Sequence, residues 1–196
     1  VGIHGTFTVQ PIHVALYSAL NVANLQYAAQ AGTVAGSPYP ITWFTLFENY
    51  GCIGGTGNTL ALIVAILILS KKSNWKRDDY TKTAKLSLIP GLFCINEPII
   101  FGMPIVLNPI MAIPFVIANI TMAIVTYAST YIGLVPVSIG VEVPWTTPPI
   151  ISGFLLCGIR GALLQIVLLL ISMAIYYPFF KMLDKQEVKK ESIEKA

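Results

Sequence analysis

Few side chains in this 196-residue chain can do chemistry, and those that can sit in apolar surroundings. Glu97 is the most telling. It lies in residues 91–109, GLFCINEPIIFGMPIVLNP, as the lone charge among three prolines and two glycines. An ionised carboxylate there accepts hydrogen bonds from hydroxyl groups, and beside a reacting hydroxyl it can also take the proton. The plain alternative is a protonated structural acid bonded to nearby backbone. An acid at membrane depth is costly without a role, which favours function. His4, between Gly2 and Gly5, can donate or accept at the same hydroxyl, although a lone histidine in an apolar chain is as readily a packing residue. Trp145 offers a flat apolar face for stacking, against the alternative of an interfacial belt position. Gly54, Gly55 and Gly57 stand before an apolar run and can turn backbone N–H groups toward a polar ligand. Without a GKS or GKT sequence they do not read as a phosphate loop, and close helix packing is the alternative.

Other chemistry finds less support. His13 has no comparable context, and with no Cys or His cluster beside it a metal site is not expected. Cys52, Cys94 and Cys157 are far apart in sequence and form no CxxC, so they read as small buried hydrophobes rather than ligands or disulfides. No cofactor is implied.

The elements that must position these groups are membrane elements. Hydrophobic residues make up 55% of the chain, charged residues 11%, and mean hydropathy is +0.73, whereas a soluble domain carries roughly 25% charge. Residues 1–70 hold one charge, Glu48, and residues 86–180 hold only Glu97, Glu142 and Arg160; the rest crowd into 71–85 and 181–195. The net charge of +3 comes from those two patches. It therefore concerns topology and lipid headgroups, and no nucleic-acid partner is implied. The opening VGIHGTF shows no signal-peptide architecture and reads as the middle of something, so the chain is expected to be a fragment.

Taken in order, residues 8–32 predict a helix too polar for lipid on all sides, because of Asn21, Asn24, Gln26 and Gln30, and so one packed inside a bundle. A Gly, Pro, Ser and Thr-rich loop over 33–43 follows. Residues 49–70 are uncharged and long enough to span. The basic stretch 71–85 and the lysine-rich tail 181–196 are both placed in the cytoplasm by the positive-inside rule, so the number of complete crossings between them is even. Two segments read as clean spans, 109–131 and 161–180. Pro98 and Pro104 make a continuous helix over 86–107 unfavourable. Residues 86–104 and 135–158 are therefore expected as two re-entrant hairpins, opening from opposite sides and meeting near mid-membrane, where non-helical backbone needs protein or a water-filled cavity around it. PIIFG at 98–102 and PIISG at 149–153 share a pattern, as paired Pro-interrupted segments of transporters do, although five residues do not separate a repeat from chance. Glu142 and Arg160 read as hairpin-mouth charges or an ion pair.

With these residues in view, the chain resembles the IIC membrane component of the bacterial phosphoenolpyruvate-dependent sugar phosphotransferase system, in its lactose/cellobiose (diacetylchitobiose) branch. The resemblance covers nearly the whole chain and rests on GIHG at 2–5, GGTGNTLAL at 54–62, PGLFCINEPIIFGMPIVLNP at 90–109 and VPWTTPPIISGFL at 143–155. It implies an all-α membrane fold, a helical bundle with two re-entrant hairpins forming the C-terminal, sugar-binding half of a permease whose N-terminal dimerisation half is absent. By motif, His4 and Glu97 fall on the histidine and glutamate that contact the sugar to be phosphorylated. Trp145 falls on a tryptophan lining that site, with Asn96 a further contact. Gly55 and Thr56 of the glycine run complete the expected substrate-binding set. The phosphoryl group would come from a phosphocysteine on a separate IIB protein. The implied partners are thus a disaccharide, a IIB protein, the bilayer and, in the full-length protein, a second copy. Residues 1–180 are read as the transmembrane domain and 181–196 as a charged cytoplasmic tail of a multi-pass protein of the bacterial cell membrane. An ion-coupled secondary sugar transporter, with Glu97 carrying a proton, and a purely structural half-domain are the alternatives.

Overall fold

The computed structural model describes residues 5–71, 78–103 and 105–194. His4, Pro104 and residues 72–77 of the basic stretch lie outside them. Six α-helices follow one another, with no strand among the described residues: α1 (Gly5–Ala31), α2 (Thr59–Leu69), α3 (Asp78–Leu92), α4 (Glu97–Gly102), α5 (Pro109–Tyr131) and α6 (Ile151–Glu194). A single π-helical turn, Phe44–Asn49, stands between α1 and α2.

Helix α1 forms where a helix is expected, but its polar face serves loops more than a bundle. The Asn24 amide nitrogen donates to Tyr39 O at 2.6 Å and its oxygen accepts from Tyr39 N at 3.1 Å, so one buried side chain braces the loop that follows. Gly140 comes close enough to Asn21 and Leu25 that no Cβ would fit there. Gln26 and Gln30 remain exposed.

Residues 49–70 are not one span. Helix α2 is 11 residues long and starts only at Thr59, which is about 17 Å of helix against roughly 30 Å of hydrocarbon. The cause lies in the glycine run. Gly54, Gly55, Gly57 and Asn58 have φ of +73°, +99°, +82° and +53°, a left-handed region that cannot propagate a right-handed helix. The knot they form is held by side chains. Asn58 Oδ1 accepts from Ile53 N, and Asn58 Nδ2 donates to Gly51 O and Asn119 Oδ1, all at 3.0 Å. Thr59 Oγ1 donates to Gly54 O at 2.6 Å, and the buried Tyr176 hydroxyl donates to Gly57 O. Beyond the knot α2 is buried on nearly every side, with Leu62, Ile63 and Ile66 fully enclosed, and it forms the centre of the core against α3 and α6.

The two interrupted stretches are helix–break–helix hairpins. Helix α3 stops at Leu92, the backbone turns through Cys94 at φ +61°, and α4 runs for six residues packed back on α3, with Gly102 against Thr83. The second stretch crosses residues 136–144 without regular structure, turns at Trp145, and enters α6, whose helical geometry fails at Cys157 and Gly158. Ile150 N and Gly153 N both donate to Gln165 Oε1. In a straight helix residues 153 and 165 lie about 18 Å apart, so the leg before the kink must fold back on the leg after it. The two PIIxG glycines play the same part in their hairpins. Gly153 lies against Gly161 and Gln165 as Gly102 lies against Thr83, each letting a short leg press on a long one. The order of the legs is reversed between the hairpins, long before short in the first and short before long in the second.

Helix α5 covers the residues expected for a span. Asn108 caps it, accepting from Ile110 N at 3.0 Å, and Pro109 occupies its first turn, where a missing N–H costs nothing. It and residues 151–183 are the two helical stretches among the described residues long and apolar enough to cross a membrane.

Candidate functional site

The hairpin tips meet: the Cys94 thiol, in the first break, lies 3.8 Å from Thr147 O in the second. Beside them is a cavity of about 340 Å³, within the range of roughly 300–1,000 Å³ typical of small-molecule sites. Its wall comes from five parts of the chain. Val9, Gln10 and His13 belong to α1; Trp43, Phe47 and Glu48 to the π-turn and its start; Cys52, Gly55 and Thr56 to the glycine knot; Cys94, Asn96 and Glu97 to the first hairpin; and Trp145 to the second.

Five of the six residues singled out from sequence, Gly55, Thr56, Asn96, Glu97 and Trp145, therefore line one cavity although 90 positions separate the first from the last; His4 lies outside the described residues. Their local settings differ. Asn96 is buried and donates through Nδ2 to Thr56 O at 3.0 Å, tying the first hairpin to the glycine knot. The knot's amides are mostly engaged within the protein, Gly55 N with Cys52 O at 2.9 Å and Gly57 N with Asn119 Oδ1 at 3.0 Å. Gly55 and Thr56 thus contribute shape to the wall more than free donors. Glu97, the first residue of α4, is partly exposed to the cavity, and Trp145 is 46% exposed at the tip of its hairpin.

Several lining residues escape a reading by motif. Trp43 and Phe47 stack with ring centroids 4.5 Å apart and planes 21° apart, and Tyr17 and His13 pack around Trp43, making an aromatic wall from α1 to the π-turn. His13 thus has a context that its sequence neighbours hide. Cys52 and Cys94 face the same cavity and lie close enough to interact electrostatically, with Glu48 beside Cys52. They are wall residues rather than the inert filling expected; Cys157 alone is buried in the core. Glu48 puts a second carboxylate on the wall. Glu142 and Arg160 are both exposed. The signal for Glu48 was its isolation, as the only charge in residues 1–70.

Gln165 was also unforeseen. It stands outside the lining of this cavity, but besides accepting from Ile150 N and Gly153 N it donates to Asn49 O at 2.9 Å, joining the second hairpin to the π-turn that carries Glu48. It is buried, and in an uncharged apolar run a single glutamine is the available clue.

The wall combines carboxylates, amides and aromatic faces, with no Lys or Arg among the described lining residues. Such a surface suits a neutral, hydroxyl-rich ligand, since the acceptors take O–H donors and the rings take C–H faces. Apolar helices broken at two hairpins, with tips meeting at a mostly apolar cavity that carries a few polar groups, are the arrangement in which membrane transporters place a solute site. Residues 1–119 match the family model for the phosphotransferase system EIIC component, and the chain belongs to that family. It is 40% identical to the PTS system cellobiose-specific EIIC component of Geobacillus stearothermophilus and 39% identical to the Lichenan permease IIC component of Bacillus subtilis (strain 168), in each case over 97% of this chain and 41% of the relative. The crystal structure of the transporter ChbC, the IIC component from the N,N'-diacetylchitobiose-specific phosphotransferase system, superposes with a TM-score of 0.84 at 37% identity, over 97% of this chain and 43% of that one. The chain thus spans about two fifths of the length of these relatives.

Proposed function

We propose that this chain is the sugar-binding half of a phosphotransferase permease, that it holds a β-linked disaccharide between its two hairpins, and that it presents one hydroxyl of that sugar to a phosphorylated IIB protein in the cytoplasm. The carrying observation is the single cavity that gathers Glu97, Asn96, Gly55, Thr56 and Trp145 from the glycine knot and both hairpin tips. Cellobiose and diacetylchitobiose, named for two of the relatives, are β-linked disaccharides with C–H faces for Trp145 and equatorial hydroxyls for Glu97.

In the reaction, Glu97 accepts the hydrogen bond of the hydroxyl to be phosphorylated and takes its proton as the sugar oxygen attacks phosphorus. The O–P bond forms, the S–P bond of the donor breaks, and the donor cysteine leaves as thiolate. His4 is assigned to the same hydroxyl, with Asn96 holding the backbone that carries Glu97. Residues 1–180 are assigned to the bilayer of a bacterial cell membrane, residues 181–196 to a cytoplasmic tail, and dimerisation to the part of the full-length protein outside this chain.

The test is titration of cellobiose, lactose and diacetylchitobiose into the full-length protein in detergent, with and without Glu97→Gln. Hydrogen bonds to a charged acceptor are worth about 1.5–3 kcal/mol, so the substitution is expected to weaken the best ligand by about tenfold to a hundredfold. Equal affinity in both forms would remove Glu97 from the site. Uptake by vesicles loaded with the phosphoryl-donor system and treated with a protonophore separates this reading from ion-coupled transport, which would stop.

A further inference from the structure

The transporter must release a product that differs from its substrate mainly in charge. A phosphate monoester carries about −1.5 to −2 charges at neutral pH, whereas the entering disaccharide carries none. The cavity presents Glu48 and Glu97 on its wall, and no Lys or Arg is among the described residues that line it. A site meant to retain a phosphorylated sugar would hold the opposite set. Glu97 already has a role in the proposed chemistry, as the acceptor for the reacting hydroxyl. Glu48 has none, yet it is a carboxylate kept in apolar surroundings, on a π-turn that Gln165 ties to the second hairpin. π-helical turns recur at functional sites.

We infer that Glu48 is a specificity residue that repels the phosphorylated product, making release of sugar phosphate favourable while leaving binding of the neutral sugar nearly unaffected. The inference rests on the sugar-binding reading of the same cavity. Its physical basis is the range of Coulomb forces: a carboxylate several ångströms from the new phosphate acts on a dianion without touching it, and acts hardly at all on an uncharged ring.

Competition binding on the full-length protein tests it, with cellobiose and cellobiose 6-phosphate displacing a labelled disaccharide. Glu48→Gln keeps the shape of the side chain and removes its charge. The expected result is an affinity for the phosphate raised by about tenfold, with that for cellobiose within about threefold of the unaltered protein. Retained cellobiose binding certifies the fold of the variant. Unchanged phosphate affinity in Glu48→Gln overturns the inference, as does a parallel fall for both ligands, which would make Glu48 a hydroxyl contact. Should Glu48→Gln fail to fold, the unaltered protein decides it: raising the ionic strength is expected to strengthen binding of the phosphate and leave that of cellobiose unchanged, and a phosphate affinity that does not rise overturns the inference. Failure of every neutral disaccharide to bind the unaltered protein overturns the sugar-binding reading itself, and this inference with it.

Discussion

Gly55 shapes the site by what it lacks. A Cβ at this position would lie 2.6–2.9 Å from the amide nitrogen, Cγ and Cβ of Asn96, on backbone at φ +99°. Because Asn96 Cβ is fixed to its own backbone, the side chain cannot swing clear, and the added methyl would push the hairpin tip that carries Glu97. Gly55→Ala is therefore expected to weaken sugar binding by about tenfold or more through displacement, with strain of about 1–3 kcal/mol added at a left-handed position. A ligand titration paired with a thermal melt checks it; normal affinity would show that the knot does not set the position of Asn96. Chemistry-bearing types were legible here for physical reasons. A carboxylate, a tryptophan and a glycine run are rare enough in an apolar chain to stand out at Glu97, Trp145 and Gly55. Glu48, His13 and the two cavity cysteines were harder to read because their significance depends on neighbours distant in sequence, and spacing along the chain carries no trace of those contacts.

At the level of elements, a proline in a first turn was a reliable guide, whereas prolines within a run and uncharged length were not. Pro109 starts α5, and the expected break near Glu97 turns at Cys94 with Pro98 in the first turn of α4, while Pro11, Pro90, Pro114 and Pro178 lie inside helices. The failure over residues 49–70 has an equally local cause. An uncharged run meets the composition test for a span, but the left-handed backbone through Asn58 halves the helix, and the π-turn before it has no sequence signal of its own. The second hairpin was expected as a break, and its fold-back depends on Gln165. Replacing that side chain by leucine leaves Ile150 N, Gly153 N and Asn49 O without their partner inside the protein. Gln165→Leu is expected to cost about 2–4 kcal/mol of stability. It should also lower sugar affinity, because the hairpin bearing Trp145 loses its tie to the π-turn that carries Phe47. Full affinity in a protein destabilised by that amount would make Gln165 purely structural.

For the whole molecule, the apolar surface bears on how the chain sits in the bilayer. Ile113, Ile117, Ile120 and Ile124 form an exposed stripe along α5 at helical spacing, and Leu163, Val167 and Leu170 form another on α6. A surface of this kind is covered by lipid or by the remaining three fifths of a full-length permease, and in either case α5 and the long leg of α6 are the described elements both long and apolar enough to cross. Counted as the crossings between the basic stretch at 71–85 and the lysine-rich tail, these two put both charged segments on one side, which the positive-inside rule predicts to be the cytoplasm. Trypsin added to inside-out vesicles is expected to cut within 71–85 and within 181–195, and trypsin added to right-side-out vesicles to cut neither. Cleavage of one segment from each side would require an odd number of crossings. One of the two hairpins would then traverse the membrane, and the tips bearing Glu97 and Trp145 could not face a common cavity as they do here.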